Sequence, residues 1–293
     1  MSVPVSSPVT PIRRHSPLTF RKILGTSLIY LVLLAGLVVM LTPFAYMFGI
    51  SFMPNIYILG TPPIFIPPHP TFDNYIQAWN GNSFGQAFFN SVTVATSATA
   101  INVILAASLA FAFARYRFPG RSVLYYTMLA TMTVPSLVLI IPQFVLASHL
   151  HLTNSRIGLI LVYAAGMAFS VCLLRSFFEE LPQELMDAAS IDGCGVWRTF
   201  FRIALPLARP ALAAATIFSF LGNWDEFTWA ITSLNDQRLY TLPIAIQQFQ
   251  SAHTTQWGIV FAASTIAVIP VMIVFLIFQR HFIRGVSAGA VKG

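Results

Sequence analysis

Charge is what this sequence has least of. Asp, Glu, Lys and Arg make up 9% of its 293 residues, against roughly 25% in a typical soluble protein. Lysine occurs only at Lys22 and Lys292. A soluble fold of this length does not cover its surface with so few charges, so soluble enzyme, nucleic-acid binder and disordered chain are excluded together. The formal net charge is +7, but the basic residues form no dense stripe of the kind that follows a phosphate backbone. Cysteine is scarce too. Cys172 lies in an apolar run and Cys194 in a polar loop, so the two sit at different depths, are not expected to pair, and lack metal-ligand spacing.

The motifs of several chemistries are missing as well. A phosphate-binding G-x-x-x-x-G-K-[ST] loop needs its lysine on the phosphates, and neither lysine follows such a loop. No histidine precedes a glutamate, so there is no HExxH zinc motif. His149 and His151 are two apart and would leave a helix on different faces, which suits an outer-loop pair without metal. There is no G-x-S-x-G elbow. The reading is a chain with no catalytic residue, no metal site, no cofactor of its own and no means of hydrolysing ATP.

What the sequence has is apolar length. Hydrophobic residues are 56% of the chain, 26 of them Phe, and the mean hydropathy is +0.74. A bilayer core of about 30 Å needs roughly 20 apolar residues in helix. Six stretches qualify: Ile23–Ile50, Phe88–Phe113, Val123–Ala147, Ile157–Leu174, Leu207–Ile231 and Gly258–Phe278. They do not alternate as barrel strands do. The fold class expected is therefore an all-α membrane protein of six transmembrane helices. With the N-terminus inside, only Arg156 and Arg238 of the 16 Lys and Arg fall in outer segments, which satisfies the positive-inside rule with both termini cytoplasmic.

Residues 1–22, rich in Ser, Pro and Thr with Arg13 and Arg14, read as a flexible cytoplasmic tail. A cleaved signal peptide fits poorly, because the apolar stretch from Ile23 is too long and no small-x-small site closes it. Residues 23–284 form the membrane domain and residues 285–293 a second cytoplasmic tail. The first outer loop, residues 51–87, holds Pro54, Pro62, Pro63, Pro67, Pro68 and Pro70 and no Lys or Arg. It should be extended and ordered by packing, with Tyr75 and Trp79 at headgroup level. Pro135, Pro142, Pro210 and Pro270 should kink or interrupt their spans. Asn90, Asn102 and Gln143 are polar groups inside spans that suit hydrogen bonding between helices.

Between the fourth and fifth spans lies a cytoplasmic elbow, about residues 179–206. Pro182 suits a helix's first turn, and Leu181, Leu185 and Ala189 share a face at i, i+4 spacing. Asp192 and Gly193 supply a turn in which glycine is free to take φ > 0. A second short helix, about Val196–Ile203, carries Trp197, Phe200 and Phe201 between Arg198 and Arg202, and should end before Pro206.

Asp187-Ala188-Ala189, three residues, Gly193, nine residues and then Ile203-Ala204-Leu205-Pro206 resemble the E-A-A–G–I-x-L-P loop of ABC importer permeases. Two departures are Asp187 where that family usually has Glu, and Cys194 in place of a common Ala. Phe88-Phe89-Asn90-Ser91, Asn223-Trp224-Asp225-Glu226-Phe227 with Trp229, and Tyr240-Thr241-Leu242-Pro243 are similar to carbohydrate-importer permeases. The C-terminal stretch from Gly285 to Gly293 is similar to the tail of the second maltose-transporter-type permease subunit, a tail that in that family reaches into the ATPase dimer.

The resemblance implies a type I importer permease in the cytoplasmic membrane, one subunit of a larger machine. The partners implied are a second homologous permease, a dimer of cytoplasmic ATPase subunits that holds the ATP and magnesium, an extracytoplasmic solute-binding protein and a carbohydrate substrate, with no nucleic acid. The elbow would dock into a cleft on the ATPase through Glu184, Leu185, Asp187, Ala188, Ala189, Asp192, Gly193 and Val196. Exposed ion pairs there contribute at most about 1 kcal/mol each, so shape and apolar burial carry the link.

Substrate contacts are expected at Asn223, Trp224, Asp225 and Glu226, with Asp225 about 22 Å along a helix counted from Pro210. Three other readings stay open: import of a phosphorylated polyol such as glycerol phosphate, a self-sufficient proton-coupled secondary transporter, and a membrane scaffold whose elbow docks a cytoplasmic partner. No inverted repeat supports the secondary transporter.

Overall fold

The computed structural model describes residues 20–58, 66–250 and 255–290, which leaves Arg13, Arg14, Pro62, Pro63 and Lys292 outside it. Among the described residues every regular element is helical. In chain order these are α1 (Phe20–Ser51), α2 (Asn55–Ile58), α3 (Asp73–Asn80), α4 (Phe84–Arg115), α5 (Arg121–Ala130) and α6 (Ser136–His149). Next come α7 (Arg156–Ala165), α8 (Ala168–Glu180), α9 (Gln183–Ile191), α10 (Val196–Thr199), α11 (Leu205–Leu207) and α12 (Arg209–Trp224). Last are α13 (Thr228–Ser233), α14 (Leu242–Gln248) and α15 (Trp257–Ala290).

The chain divides into two compact units, with the boundary in sequence between Tyr46 and Met47. The first holds most of α1, whose residues from Leu24 onward are apolar on every side, as a membrane-spanning helix requires. The second holds everything else.

At its centre α4 packs against α7, α8, α12 and α14. Ser91, Ala95, Ala98, Asn102, Ala106 and Ala110 recur along α4 at steps of three and four and are all buried. Small residues on one stripe let neighbouring backbones approach closely, and that approach is the main source of packing between helices in lipid.

Among the described residues three helices are long and apolar enough to cross a membrane unaided, over Leu24–Ser51, Phe84–Arg115 and Trp257–His281. The other three expected spans are bent pairs, α5 with α6 at 109°, α7 with α8 at 43°, and α10–α11 with α12 at 80°. Pro135 caps the start of α6 and makes the first break, as anticipated. Pro210 lies in the first turn of α12, just past the third break at Ala208. Pro142 and Pro270, by contrast, sit inside continuous helices. The second break has no proline. It falls at Gly166 and Met167, and Asn102 holds both of its sides: its Nδ2 donates to the Ala164 carbonyl at 3.2 Å, and its Oδ1 accepts from the Ser170 hydroxyl at 2.9 Å.

The structure corrects three expectations. The fifth span does not run unbroken from Leu207 to Ile231, because α12 ends at Trp224 and α13 begins at Thr228. The second elbow helix does not stop before Pro206. It passes through a π turn, Phe200–Ala204, into α11. The wider turn relieves the clash that the Pro206 ring makes with the carbonyl four residues back in a regular helix. The first outer loop is also not simply extended, since α2 and α3 interrupt it. Asn74 anchors α3 by donating to the carbonyls of Ser51 and Met53 at 3.0 and 2.9 Å, and Tyr75 shares a 2.7 Å hydrogen bond with Ser51.

Candidate functional site

The elbow is built on a closed turn. At the end of α9 the Cys194 N–H donates to the Ala189 carbonyl at 2.9 Å and the Gly193 N–H to the Ser190 carbonyl at 3.1 Å. This is the double bond of a Schellman motif, which needs a left-handed residue after the helix cap. Gly193 supplies it with φ +69°. After this closed turn the chain enters α10 at Val196.

The elbow is also moored to the bundle. Phe200 packs on Phe111 of α4 with ring centroids 5.2 Å apart, and Phe111 on Phe178 of α8 at 5.5 Å. These rings share one core with Ala204, Ala208, Ala211 and Ala215, which continue into α12. Arg115, at the end of α4, donates to the Leu181 carbonyl and to Gln183 Oε1, and Gln183 in turn donates to Asp187. A cavity of about 410 Å³ lies between Arg115 and the α9–α10 corner, bordered by Asp187, Ser190, Cys194 and Thr199. Beside this end of the bundle Glu179 pairs with Arg175 at 2.7 Å and with Arg121 at 3.8 Å, and Arg175 lies 3.8 Å above the Tyr125 ring.

Of the eight elbow residues expected to face a partner, Glu184, Leu185, Asp187, Ala188, Asp192, Gly193 and Val196 are exposed. Ala189 is 3% exposed and packs inside the chain. The outward apolar surface is larger than those residues suggest, because Ile191 is 86% and Trp197 66% exposed beside Leu185, Val196 and Phe201. Contiguous exposed apolar surface of this kind marks a contact with another protein or with lipid.

At the far end of α12, about 24 Å from Arg209 at 1.5 Å per residue, the four expected substrate residues separate into different roles. Asn223 donates to Thr99 Oγ1 at 3.0 Å. Trp224 is buried and its Nε1 donates to the Ala267 carbonyl of α15 at 3.1 Å. Glu226 is the N-terminal anchor of α13: its carboxyl oxygens accept from Trp229 N at 2.7 Å, from Ala230 N at 3.1 Å, and from the Tyr163 hydroxyl of α7 at 2.7 Å. Asp225 alone is exposed, and its side chain has no hydrogen-bond partner among the described residues. It borders a cavity of about 370 Å³ with Phe227, Gln247 and Gln250.

Replacing Glu226 with alanine leaves three donors unsatisfied, and hydrogen bonds to charged acceptors contribute about 1.5–3 kcal/mol each when buried. The group is only half-buried, so the expected loss is about 2 kcal/mol of stability. Thermal unfolding of the detergent-solubilised chain measures it, and Glu226→Gln should recover part of the loss.

The loop after α13 is pinned to the same end. Asn154, with φ +49°, accepts from the N–H groups of Asn235 and Asp236, both at 3.0 Å. Asn90 donates to the carbonyls of Arg238 and Tyr240 at 2.9 Å each, and Ser91 Oγ accepts from Leu242 N at 2.7 Å. The Arg238 backbone N–H and then its guanidinium hold the Asp236 carboxyl below the usual carboxylate range. The interaction is therefore present at neutral pH and is lost only as pH falls through that lowered value.

A family model described as "Binding-protein-dependent transport system inner membrane component" matches residues 102–288, which include the elbow, α12 and most of α15. The chain is 38% identical to the diacetylchitobiose uptake system permease protein NgcG of Streptomyces coelicolor, over 87% of this chain and 85% of that protein. It is 35% identical to the arabinooligosaccharides transport system permease protein AraQ of Bacillus subtilis, over 78% and 81%. The chain belongs to this permease family. The permease fold also matches a chain in the crystal structure of a bacterial ABC transporter involved in the import of the acidic polysaccharide alginate, with a TM-score of 0.78 and 23% identity, covering 91% of this chain and all of that one. A second alginate ABC transporter structure, in complex with an alginate pentasaccharide-bound periplasmic protein, gives a TM-score of 0.67 at 15% identity.

Proposed function

We propose that this permease carries a sugar or oligosaccharide across the cytoplasmic membrane by alternating access, after delivery by an extracytoplasmic solute-binding protein. A second, homologous permease completes the path. ATP and magnesium belong to a dimer of separate cytoplasmic ATPase subunits, whose closure is transmitted through Glu184, Leu185, Asp187, Asp192, Gly193 and Val196, with Ile191 and Trp197 adding apolar contact. Both termini are cytoplasmic, residues 1–22 and 285–293 serve as tails, and residues 23–284 form the membrane domain.

The observation that carries this reading is the moored elbow. A displaced surface moves a membrane helix only if the two are rigidly joined. Here Phe200 and the alanines from Ala204 to Ala215 join the exposed corner to α4, α8 and α12 in one packed core. The names of the two relatives, one a diacetylchitobiose and one an arabinooligosaccharide permease, support a carbohydrate as the cargo.

The test is uptake of labelled diacetylchitobiose and of arabino-oligosaccharides into vesicles that hold the complete assembly. Uptake of one series is expected only with ATP inside and the binding protein outside. Uptake by this chain without the ATPase would instead favour a secondary transporter.

A further inference from the structure

The two halves of the elbow are held to the bundle by different means. The α10 half is carried by the aromatic and alanine core that begins at Phe200. The α9 half, which bears Glu184, Leu185, Asp187 and Ala188, stands across the cavity of about 410 Å³ from the end of α4, with Met186 reaching the same core from its side. Among the described residues, the hydrogen bonds that cross from α4 to α9 and the residues leading into it come from one side chain, Arg115. One of its terminal nitrogens donates to the Leu181 carbonyl, an acceptor that the end of α8 leaves without a partner in its own helix. The other donates to Gln183 Oε1 at 3.1 Å, and Gln183 Nε2 passes the contact on to Asp187 Oδ1, also at 3.1 Å. Arg115 Nε, by contrast, is buried without a partner. A buried donor left unpaired costs free energy, so the guanidinium is fixed here by its two terminal bonds and not by its own surroundings.

We propose that Arg115 is a positioning residue for coupling: its forked grip makes a displacement of α9 reach α4 directly, beside the route through Phe200 into α12. The proposal rests on the transport reading above and deepens it. α4 is the helix on which α7, α8, α12 and α14 pack, so a joint at its end acts on the centre of the bundle. A cavity behind a docking surface is where motion is lost, because α9 can close the gap before it pushes α4. Two charge-assisted bonds from one planar fork oppose that slack, resisting rotation as well as separation. A lysine does not replace them, being a single point charge on a flexible stem. Through Gln183 the same fork ends at Asp187, which gives the outward face of α9 its own line to α4.

The test uses the whole assembly in liposomes, with its ATPase, partner permease and binding protein, and with diacetylchitobiose and arabino-oligosaccharides as probes. Arg115→Met, which keeps the bulk and removes every donor, should lower the sugar moved per ATP hydrolysed about tenfold. Arg115→Lys should lower it about threefold. Gln183→Ala changes an exposed residue in the first turn of α9, where alanine is a good helix former, and should also lower the ratio about threefold. The double variant should fall no further than Arg115→Met alone, because both changes cut one link. The ATPase should co-purify with every variant as with the native chain, since the outward face of the elbow is untouched. Coupling between two sites is reciprocal, so the stimulation of ATP hydrolysis by the binding protein should fall in step, a readout that does not depend on the cargo. Uptake and hydrolysis falling in parallel, loss of the co-purified ATPase, or additive losses in the double variant would each reduce Arg115 to a structural cap on α8 and overturn the proposal. So would a ratio and a stimulation within twofold of native in Gln183→Ala, the variant that decides the matter if Arg115→Met does not accumulate in the membrane. If the native assembly moves neither probe, the carbohydrate reading fails alone, and the stimulation readout still upholds or removes Arg115.

Discussion

Gly193→Asp is expected to lower ATP-driven uptake by about 100-fold or more while the chain still inserts and folds. The local cost is small. The left-handed conformation at φ +69° costs an ordinary L-residue about 1–2 kcal/mol, and aspartate is among the residues that tolerate it best. A Cβ at this position meets nothing within 4 Å, so packing inside the chain is undisturbed. The damage lies on the other side of the turn. The new carboxylate stands in the turn between α9, which carries Leu185 and Ile191, and α10, which carries Val196 and Trp197, all 40% or more exposed. Docking would bury it there without an arranged partner, at a cost of about 3–5 kcal/mol, or two to three and a half powers of ten in the docked population.

Uptake, co-purification of the ATPase and thermal unfolding should be read on the same preparation. Uptake and co-purification fall together and unfolding barely shifts. Gly193→Ala, which adds volume but no charge, should fall in between. Normal uptake by the aspartate variant would remove the elbow from the coupling path.

The elbow was the most legible part of the molecule because its determinants are local. A proline, a glycine at the turn and apolar spacing within some twenty residues dictate the Schellman closure at Ala189, Ser190 and Gly193. The span lengths were legible for the same reason, as apolar runs that any bilayer core demands. What escaped was much of what is decided between segments, although the bonding of Asn90 and Asn102 to other segments was anticipated. Gly166 and Met167 break a span without proline, and Asn102, more than sixty residues earlier, braces the break by donating to the Ala164 carbonyl on one side and accepting from the Ser170 hydroxyl on the other. Glu226 looked like a substrate group beside Asp225, yet Tyr163 and the first turn of α13 claim it.

The same logic sorted Asn223 and Trp224 into packing roles and left Asp225 facing open space. Two adjacent acids in a sequence look equivalent until the fold shows which one is already bonded. One weak local signal for the second break did exist, since Gly166 interrupts an otherwise helical pattern. A signal for the Glu226 anchor existed as well: an acid three residues before Trp229, the geometry of an N-terminal cap.

Gly158→Ala is expected to be the most destabilising single methyl group that can be added to the chain at any described glycine of α7, α12 or the elbow. Gly158 lies in the first turn of α7, where its N–H donates to the Ser155 hydroxyl at 3.4 Å. A Cβ there would lie 1.8 Å from the Leu152 carbonyl oxygen and 2.8 Å from its carbon. Those are backbone atoms, so no side-chain rotation relieves the overlap. Leu152 itself cannot easily retreat, because its N–H is bonded to the Ala147 carbonyl at 2.8 Å and Asn154, two residues on, is bonded to the Ser233 carbonyl at 2.7 Å. Overpacking typically costs 1–3 kcal/mol and more when the neighbours are rigid, so a loss of about 3 kcal/mol or greater is expected. Displacing α7 would also draw Tyr163 away from Glu226 and loosen the start of α13. Membrane accumulation and thermal unfolding of the solubilised chain measure the effect. Gly222→Ala is the matched control, because nothing lies within 4 Å of its added methyl group, and it should change stability by less than about 1 kcal/mol. Equal behaviour of the two variants would mean that the loop between α6 and α7 does not approach α7 as closely as Leu152 and Gly158 require.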